Sequence, residues 1–269
     1  TGSGGTIGDA IVSNPGIRKV TFTGSQEVGE RICKTAGLKK VTMELGSNSP
    51  LIVLPDADLQ KVAEATTQSG FSNAGQVCIS TQRVIVDQSV YSDYLDVLVP
   101  VVESLKIGNP LEDPVKLGPM VRESDAERVS DWIGEAVSDG ARLLTGGDRD
   151  RAIVSPAVIA DAKPDMRVCR EELFGPAVTV TPASDIDQAI ELANDSRFGL
   201  SAAVFTENIN HALKFALEVD SGNLNINSGT QFRADLMPYG GLKDSGMGKE
   251  GPKYAIEEMT ELKMVVIHR

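Results

Sequence analysis

Hydrophobic residues recur along this chain in two spacings that alternate from one segment to the next. Short apolar runs at residues 18–22, 40–45 and 51–54 are typical of strands, whereas residues 7–14 and 25–38 have the spacing of helices. The same alternation continues from residue 56 to the end of the chain. It predicts an α/β fold with a mostly parallel sheet.

Three later segments have the pattern of amphipathic helices. Ser124 and Glu127 have the spacing of a capping box, which predicts a helix start at this point. Two loops are also predicted, at residues 107–119 and 228–252, and the length of the second is typical of a functional loop. The apolar stripes predict buried core positions at Val129, Trp132, Ile133 and Ala136, at Ile186, Ala189, Ile190 and Ala193, and at Ile209, Ala212, Leu213 and Ala216.

Composition narrows the function classes. The 269 residues include 38 acidic and 26 basic side chains, a net charge of −12, which favours solubility and argues against nucleic-acid binding. No apolar run approaches the ~20 residues of a membrane span. With two histidines, a Ser-His-Asp hydrolase or a His-rich metal site is hard to build, so no metal is expected. Cys33, Cys78 and Cys169 are odd in number and favour a reducing compartment, which predicts a cytoplasmic protein.

One of these cysteines lies in a sequence context that suits catalysis. The segment Ala74-Gly75-Gln76-Val77-Cys78-Ile79-Ser80 follows an apolar helical stretch and contains a glycine turn. Such a turn exposes the sulfur and leaves backbone N–H groups free beside it, so a thiolate there can act as a nucleophile. A lone cysteine is more often a small buried hydrophobe, so this segment needs support from elsewhere in the chain.

Three further motifs supply that support. Phe22-Thr23-Gly24-Ser25 with Gly29 and Met43-Glu44-Leu45-Gly46 precede the cysteine segment, and Glu171-Glu172-Leu173-Phe174-Gly175-Pro176 follows it. This ordered set resembles the aldehyde dehydrogenase superfamily over the whole chain. The resemblance implies oxidation of a small aldehyde to a carboxylate with NAD or NADP as cofactor.

The resemblance also implies roles for individual residues. Cys78 would attack the aldehyde to form a thiohemiacetal and then a thioester, with its own N–H facing the oxyanion, and Glu44 would be the general base for thioester hydrolysis. Glu172 would bond the nicotinamide ribose and Phe174 would border the nicotinamide. The remaining implied ligands are Gly24, Ser25, Gly29 and Leu45 for the cofactor, and Asn227 and Arg233 for the substrate. Ser47 stands where the family usually has a second glycine.

The resemblance implies three regions. Residues 1–46 would be part of a Rossmann-like NAD(P)-binding domain, residues 47–248 the catalytic domain, and residues 249–269 a helix and strand for subunit association. A homo-oligomer is therefore expected. Because the first half of the family's cofactor domain is missing from the chain, we expect this chain alone to bind NAD weakly.

Three alternatives stay open. The chain could be a catalytically incompetent fragment or pseudoenzyme that keeps assembly surfaces. It could instead be an esterase, since Cys78 and Glu44 alone could turn over activated esters without nicotinamide. Finally, Arg233 could either clamp an anionic group on the aldehyde or pair with Asp235 at the surface.

Overall fold

The computed structural model describes residues 1–269. The nine α-helices are α1 Gly4–Ser13, α2 Gln26–Ala36, α3 Leu59–Phe71, α4 Tyr91–Glu103, α5 Glu123–Ser138, α6 Arg167–Arg170, α7 Ile186–Asn194, α8 Ile209–Glu218 and α9 Pro252–Met259. The strands are β1 Lys19–Thr23, β2 Lys40–Glu44, β3 Pro50–Val53, β4 Arg83–Asp87, β5 Arg142–Thr145, β6 Arg149–Asp150, β7 Ile153–Val154, β8 Ala157–Ala160, β9 Ala177–Ala183, β10 Phe198–Gly199, β11 Ser201–Phe205, β12 Asn223–Ile226, β13 Leu242–Lys243 and β14 Gly246–Met247.

A seven-stranded sheet forms the centre of the molecule, in the order β12-β11-β3-β4-β9-β8-β5. Its pairings are parallel except for the edge strand β5, which runs antiparallel to β8. All residues of β3, β4, β8 and β11 are buried, as expected for parallel strands covered by helices on both faces. The α/β fold with a mostly parallel sheet is therefore confirmed.

A second, smaller sheet contains β1, β2 and β14. The β1–β2 pair is parallel, and β14 joins β2 in the antiparallel direction, with Gly246 paired to Glu44. The change from the small sheet to the large one falls between Glu44 and Pro50, close to the predicted boundary at residue 46. Because β14 belongs to the small sheet, the segment around residues 240–250 contacts both parts.

The two sheets meet at one place. Glu44 ends β2, whereas the segments before β3, β4 and β9 contain Ser47, Cys78 and Glu172. The carboxyl end of the small sheet thus faces the amino ends of three adjacent strands of the large sheet. Loops from both sheets come together there, and this junction contains most of the residues singled out from the sequence.

Three expectations about the helices and the C-terminus need correction. Helix α5 begins at Glu123 with Arg122 as its N-cap and no side-chain cap bond, so Ser124 and Glu127 do not form a capping box. In α8 the buried face contains Ala212 and Phe215. Three of the four predicted core positions of α8 are instead exposed, namely Ala216, Ile209 at 67% and Leu213 at 53%. The bulky Phe215 selects the opposite face for burial.

The third correction concerns the predicted C-terminal strand. Helix α9 is present, but residues 260–269 form neither helix nor strand within this chain. A strand needs a neighbour that accepts and donates its ladder hydrogen bonds, and no strand of this chain pairs with the segment. Its apolar side chains, such as Leu262 and Ile267, are exposed.

Finally, none of the helices combines the length and apolar character needed to cross a lipid bilayer.

Candidate active site

The Cys78 loop is built on an unusual backbone turn. Asn73 and Ala74, with φ of 52° and 54°, and Gly75, with φ of 69°, occupy the left-handed region in succession, a conformation that costs non-glycine residues free energy and clusters at functional sites. Only glycine fits at position 75, because a methyl group there would lie 2.0 Å from the carbonyl oxygen of Gly175. The Cys78 loop and the Glu172–Phe174 loop are therefore in direct backbone contact.

Cys78 itself is partly buried and has one side-chain partner. Its Sγ lies 3.2 Å from the hydroxyl oxygen of Tyr239. The backbone N–H of Cys78 donates to no carbonyl. Burial raises the pKa of the Cys78 thiol and the charges of Glu44 and Glu172 raise it further, while hydrogen bonding from the Tyr239 hydroxyl and the Cys78 N–H opposes that rise. The thiol is therefore less acidic than the glycine turn alone would suggest.

Glu44 is the most unusual polar group in the molecule. Its side chain is 3% exposed, and neither carboxyl oxygen has a hydrogen-bond partner. A methyl group on Gly240 would lie 2.9 Å from Glu44 Oε1, so the carboxyl group faces the glycine-rich segment after Tyr239. Burial, followed by the charge of Glu250, raises the pKa of Glu44 to about 8, against the opposing effects of Lys249 and Arg233.

A carboxyl group in this state can exchange a proton near neutral pH. A general base works best when its pKa lies close to the working pH, and burial is a common way to raise a carboxyl pKa to that range. The absence of fixed hydrogen bonds leaves both oxygens of Glu44 free to bond water or substrate. Its negative charge is felt at Cys78, so the two predicted catalytic residues share one site.

Glu172 lies in the second loop of the site and is held in place. Its Oε1 accepts a hydrogen bond of 3.0 Å from the backbone N–H of Ser47. A methyl group added at Gly46 would lie 2.4 Å from the Oε2 of Glu172. Burial raises the pKa of Glu172, and the Ser47 N–H opposes that rise. Ser47 fits without a clash, since its hydroxyl lies 3.3 Å from that of Ser49.

The backbone around Glu172 is fixed by Gln82, which was not identified from the sequence. Its amide nitrogen donates to the carbonyls of Val168 and Glu171 at 2.8 and 2.7 Å, and its oxygen accepts from Leu173 N–H at 2.9 Å. Gln82 lies four residues after Cys78, so a single buried amide ties the nucleophile loop to the Glu172 loop. A buried amide with all near partners satisfied is a rigid support.

The predicted cofactor residues divide into two groups. Ser25 is the N-cap of α2 but makes no side-chain cap bond, and it lines a cavity of about 320 Å³ together with Glu172. Gly29 and Leu45, in contrast, are both buried against each other: a methyl group at Gly29 would lie 2.6 Å from the Leu45 side chain. The structure thus gives this pair a packing contact between α2 and the small sheet. Phe174 is partly exposed with a φ of 48°.

The two predicted substrate residues also differ. Arg233 forms an ion pair of 2.8 Å with Glu250, and its guanidinium lies 4.1 Å from the ring centre of Tyr239. Its partner is therefore Glu250 and not Asp235. The Asn227 amide is occupied by the backbone of Thr206, with which it makes two bonds of 2.9 Å. Both residues line a cavity of about 680 Å³, but only Arg233 contacts the Cys78 group, through Tyr239.

Comparison with known proteins identifies the family. The model of the aldehyde dehydrogenase family matches residues 1–265. A 3-sulfolactaldehyde dehydrogenase from Priestia aryabhattai is 47% identical over 268 residues, which cover 100% of this chain and 56% of that protein. A lactaldehyde dehydrogenase from Methanococcus maripaludis is 44% identical, with 100% of this chain and 57% of that protein covered.

Solved structures give the same result. The NADP complex of glyceraldehyde-3-phosphate dehydrogenase from Methanocaldococcus jannaschii superimposes with a TM-score of 0.97 at 40% identity, over 100% of this chain and 59% of that one. Aldehyde dehydrogenase 21 from Physcomitrella patens, in complex with the reaction product succinate, gives 0.92 at 39% identity over 94% and 53%. The chain belongs to the aldehyde dehydrogenase family, and it spans slightly more than half the length of these relatives.

Proposed function

We propose that this chain supplies the catalytic centre of an NAD(P)-dependent aldehyde dehydrogenase that oxidises a small aldehyde to a carboxylate. The observation that carries the proposal is the meeting of a partly buried thiol, Cys78, with a buried carboxyl group free of hydrogen bonds, Glu44. Relatives named for 3-sulfolactaldehyde and lactaldehyde oxidation support the reaction class.

The first chemical step belongs to Cys78. Its thiolate attacks the aldehyde carbon, and the carbonyl oxygen becomes an oxyanion to which the backbone N–H of Cys78 can donate a hydrogen bond. One such donor is commonly worth about 3 kcal/mol in the transition state. A bound nicotinamide cofactor would take the hydride that the thiohemiacetal carbon loses, which leaves a thioester on Cys78.

The second step belongs to Glu44. As a carboxylate it removes a proton from water, the water oxygen attacks the thioester carbon, and the thiolate of Cys78 leaves as the carboxylic acid forms. The lack of a fixed partner on either oxygen of Glu44 suits a group that must take up and release a proton in each cycle.

The residues around Ser25 fit a dinucleotide. The hydroxyl of Ser25 is free of a capping role, and the first N–H groups of α2, an 11-residue helix, favour phosphate oxygens. Glu172, in the same cavity, has a carboxylate suited to accept bonds from ribose hydroxyls. These residues would hold the cofactor, with Ser25 at the phosphate end and Glu172 at the ribose end.

The proposal extends to an anionic aldehyde and to assembly. Arg233 lines the 680 Å³ cavity and lies over the ring of Tyr239, whose hydroxyl is 3.2 Å from Cys78 Sγ, so its guanidinium is placed to attract a carboxylate, sulfonate or phosphate group on the aldehyde. For assembly, the exposed apolar residues of segment 260–269 suit pairing with a second subunit in a homo-oligomer. A cytoplasmic location is in keeping with the three free cysteines.

Alkylation of the chain tests the assignment of the nucleophile. Iodoacetamide should modify Cys78 faster than Cys33 or buried Cys169, because the glycine turn places Cys78 beside hydrogen-bond donors that offset part of the pKa rise caused by burial, and because burial limits access to Cys169. Peptide mass mapping over time gives the three rates, and aldehyde oxidation with NAD or NADP should be lost in step with Cys78 labelling. Preferential labelling of another cysteine would reject the mechanism. Retention of ester hydrolysis without nicotinamide reduction would favour the esterase alternative.

A further inference from the structure

Tyr239 makes the one side-chain hydrogen bond to the proposed nucleophile, and it has no part in the two proposed chemical steps. Its hydroxyl oxygen lies 3.2 Å from Cys78 Sγ, and the residue is 5% exposed. The ring packs with Ile79 and Leu200 in a small apolar cluster. A polar group that reaches from such a cluster to a sulfur is directed there by the surrounding packing.

The position of Tyr239 is fixed from two directions. Its backbone forms an isolated antiparallel bridge with Glu250, with N–H to carbonyl distances of 3.2 and 2.6 Å. The guanidinium of Arg233 lies 4.1 Å from the ring centre and is itself held by Glu250 at 2.8 Å. Backbone, ring and covering cation therefore form one unit, and the hydroxyl has little freedom to move away from Cys78.

We propose that Tyr239 is a further catalytic residue, whose hydroxyl donates a hydrogen bond to the thiolate of Cys78. The guanidinium of Arg233 over the ring makes this hydroxyl a stronger donor. The inference rests on the proposed role of Cys78 as nucleophile. No bond is formed or broken by Tyr239: the thiol loses its proton to solvent and the phenol keeps its own. Hydrogen bonds to an ionised partner are about twice as strong as neutral ones.

The charges around the pair explain why such a donor is needed. The charged groups that face Cys78 are the carboxylates Glu44 and Glu172, and both disfavour a thiolate. Those that face Tyr239 are Glu44 and Arg233, and burial together with the neighbouring thiolate raises the pKa of the phenol far above its usual value. Tyr239 therefore stays protonated and can only donate to the thiolate. Without the Tyr239 hydroxyl, the backbone N–H of Cys78 would be the one donor left to stabilise the thiolate against two carboxylates.

The test is the pH dependence of Cys78 alkylation in Tyr239→Phe, which removes only the hydroxyl. We expect the midpoint of the profile to rise by about one pKa unit, so that the rate at neutral pH falls about tenfold. Tyr94→Phe is the matched control, because it removes a buried hydroxyl that bonds Thr66 at 2.9 Å, away from Cys78. It should leave the Cys78 profile unchanged. Arg233→Gln should give a shift in the same direction but smaller, since the phenol remains and loses only the cation.

The outcomes separate this inference from the proposed function. An unchanged midpoint in Tyr239→Phe would overturn the role of the hydroxyl, while fast labelling of Cys78 would leave the nucleophile assignment standing. A lower midpoint would show that the thiol donates to the phenol oxygen, which also overturns it. If Cys78 of the unaltered protein fails to react across the pH range, the proposed function fails and the inference with it. Circular dichroism of the three variants checks that they are folded.

Discussion

The two glutamates of the site are held in opposite ways. Glu172 accepts a backbone hydrogen bond, and the loop around it is tied by Gln82 and by Arg128, whose guanidinium donates to Leu173 carbonyl at 2.8 Å. Glu44 has no hydrogen-bond partner although it is the more deeply buried of the two. A buried carboxyl group without partners costs free energy, so its persistence here calls for a reason other than stability.

The contrast between Glu172 and Glu44 corresponds to two proposed roles, the positioning of a ligand and the transfer of a proton. In the loops before β4 and β9, the amide of Gln82 and the carboxylate of Glu172 both have hydrogen-bond partners. The carboxyl group at the end of β2 faces the glycine-rich segment after Tyr239 and is left unsatisfied. A group that only positions a ligand gains from fixed bonds, whereas a base must release its proton in every cycle. The contrast supports the different tasks that we propose for these two chemically identical side chains.

The sharpest test of this contrast is Glu44→Gln in a preparation that oxidises its aldehyde. We expect the steady rate to fall at least a hundredfold, the lower range for loss of a general base, while the initial burst of reduced nicotinamide persists. Stopped-flow absorbance at 340 nm, recorded with a time resolution on the order of milliseconds, follows the reduced nicotinamide and separates the burst from the steady phase. Equal loss of burst and steady rate would instead assign Glu44 to thiol activation or to structure.

The pH dependence supplies an internal check on the same residue. Since the pKa of Glu44 is raised to about 8, the carboxylate that acts as base is scarce at low pH and grows as the pH rises. The steady rate of the unaltered enzyme should therefore increase with pH up to about 8 and then level off. In Glu44→Gln the residual rate should lose this inflection.

The rigid side of the comparison is tested by Gln82→Met, which keeps the volume and removes the amide. Two buried carbonyls and one N–H lose their partner, so we expect a loss of about 3 kcal/mol in the free energy of unfolding. Urea titration measures it. Gln60→Met, which alters an exposed amide on α3 bonded only to Glu64, should change stability by less than about 0.5 kcal/mol. A similarly small effect at Gln82 would mean that the Glu172 loop is held by other contacts.

A smaller effect is expected at the edge of the site, for Arg233→Ala. If this cation binds the anionic group of the substrate, KM for an anionic aldehyde should rise about ten- to a hundredfold, while a neutral aldehyde of equal length should lose only the smaller factor that follows from the weakened Tyr239 donor. Steady-state kinetics with both substrates measure the difference. Lys61→Ala removes a second cation that lines the same cavity and should have less effect. Equal losses for both aldehydes would show that Arg233 only holds Tyr239 and Glu250.

Local sequence determined much of this fold and part of the site. The strands around residues 19–23, 40–44 and 50–53 and helix α2 follow directly from their apolar spacing, and the motif positions bring Cys78, Glu44 and Glu172 to one junction. The capping box failed because its spacing does not say which residue begins the helix. The α8 stripe failed because two apolar faces compete, and only packing against the sheet decides between them.

Contacts between distant residues were out of reach. Nothing in the spacing of Tyr239 indicates that its hydroxyl touches Cys78, and the ion pair of Arg233 with Glu250 depends on how the glycine-rich segment folds back. The free state of the Glu44 carboxyl group is likewise a property of the assembled site. Such features arise from the meeting of two sheets, which no single segment encodes.

The junction of the two sheets also bears on the order of folding. The contact from Cys78 to Tyr239 joins residues 161 positions apart, and that from Ser47 to Glu172 joins residues 125 apart. Closing loops of that length costs chain entropy before any contact repays it, so such pairs form late. The site should thus be the last part of the molecule to assemble. The rate at which Cys78 regains its native reactivity after dilution from denaturant would then time the final step of folding.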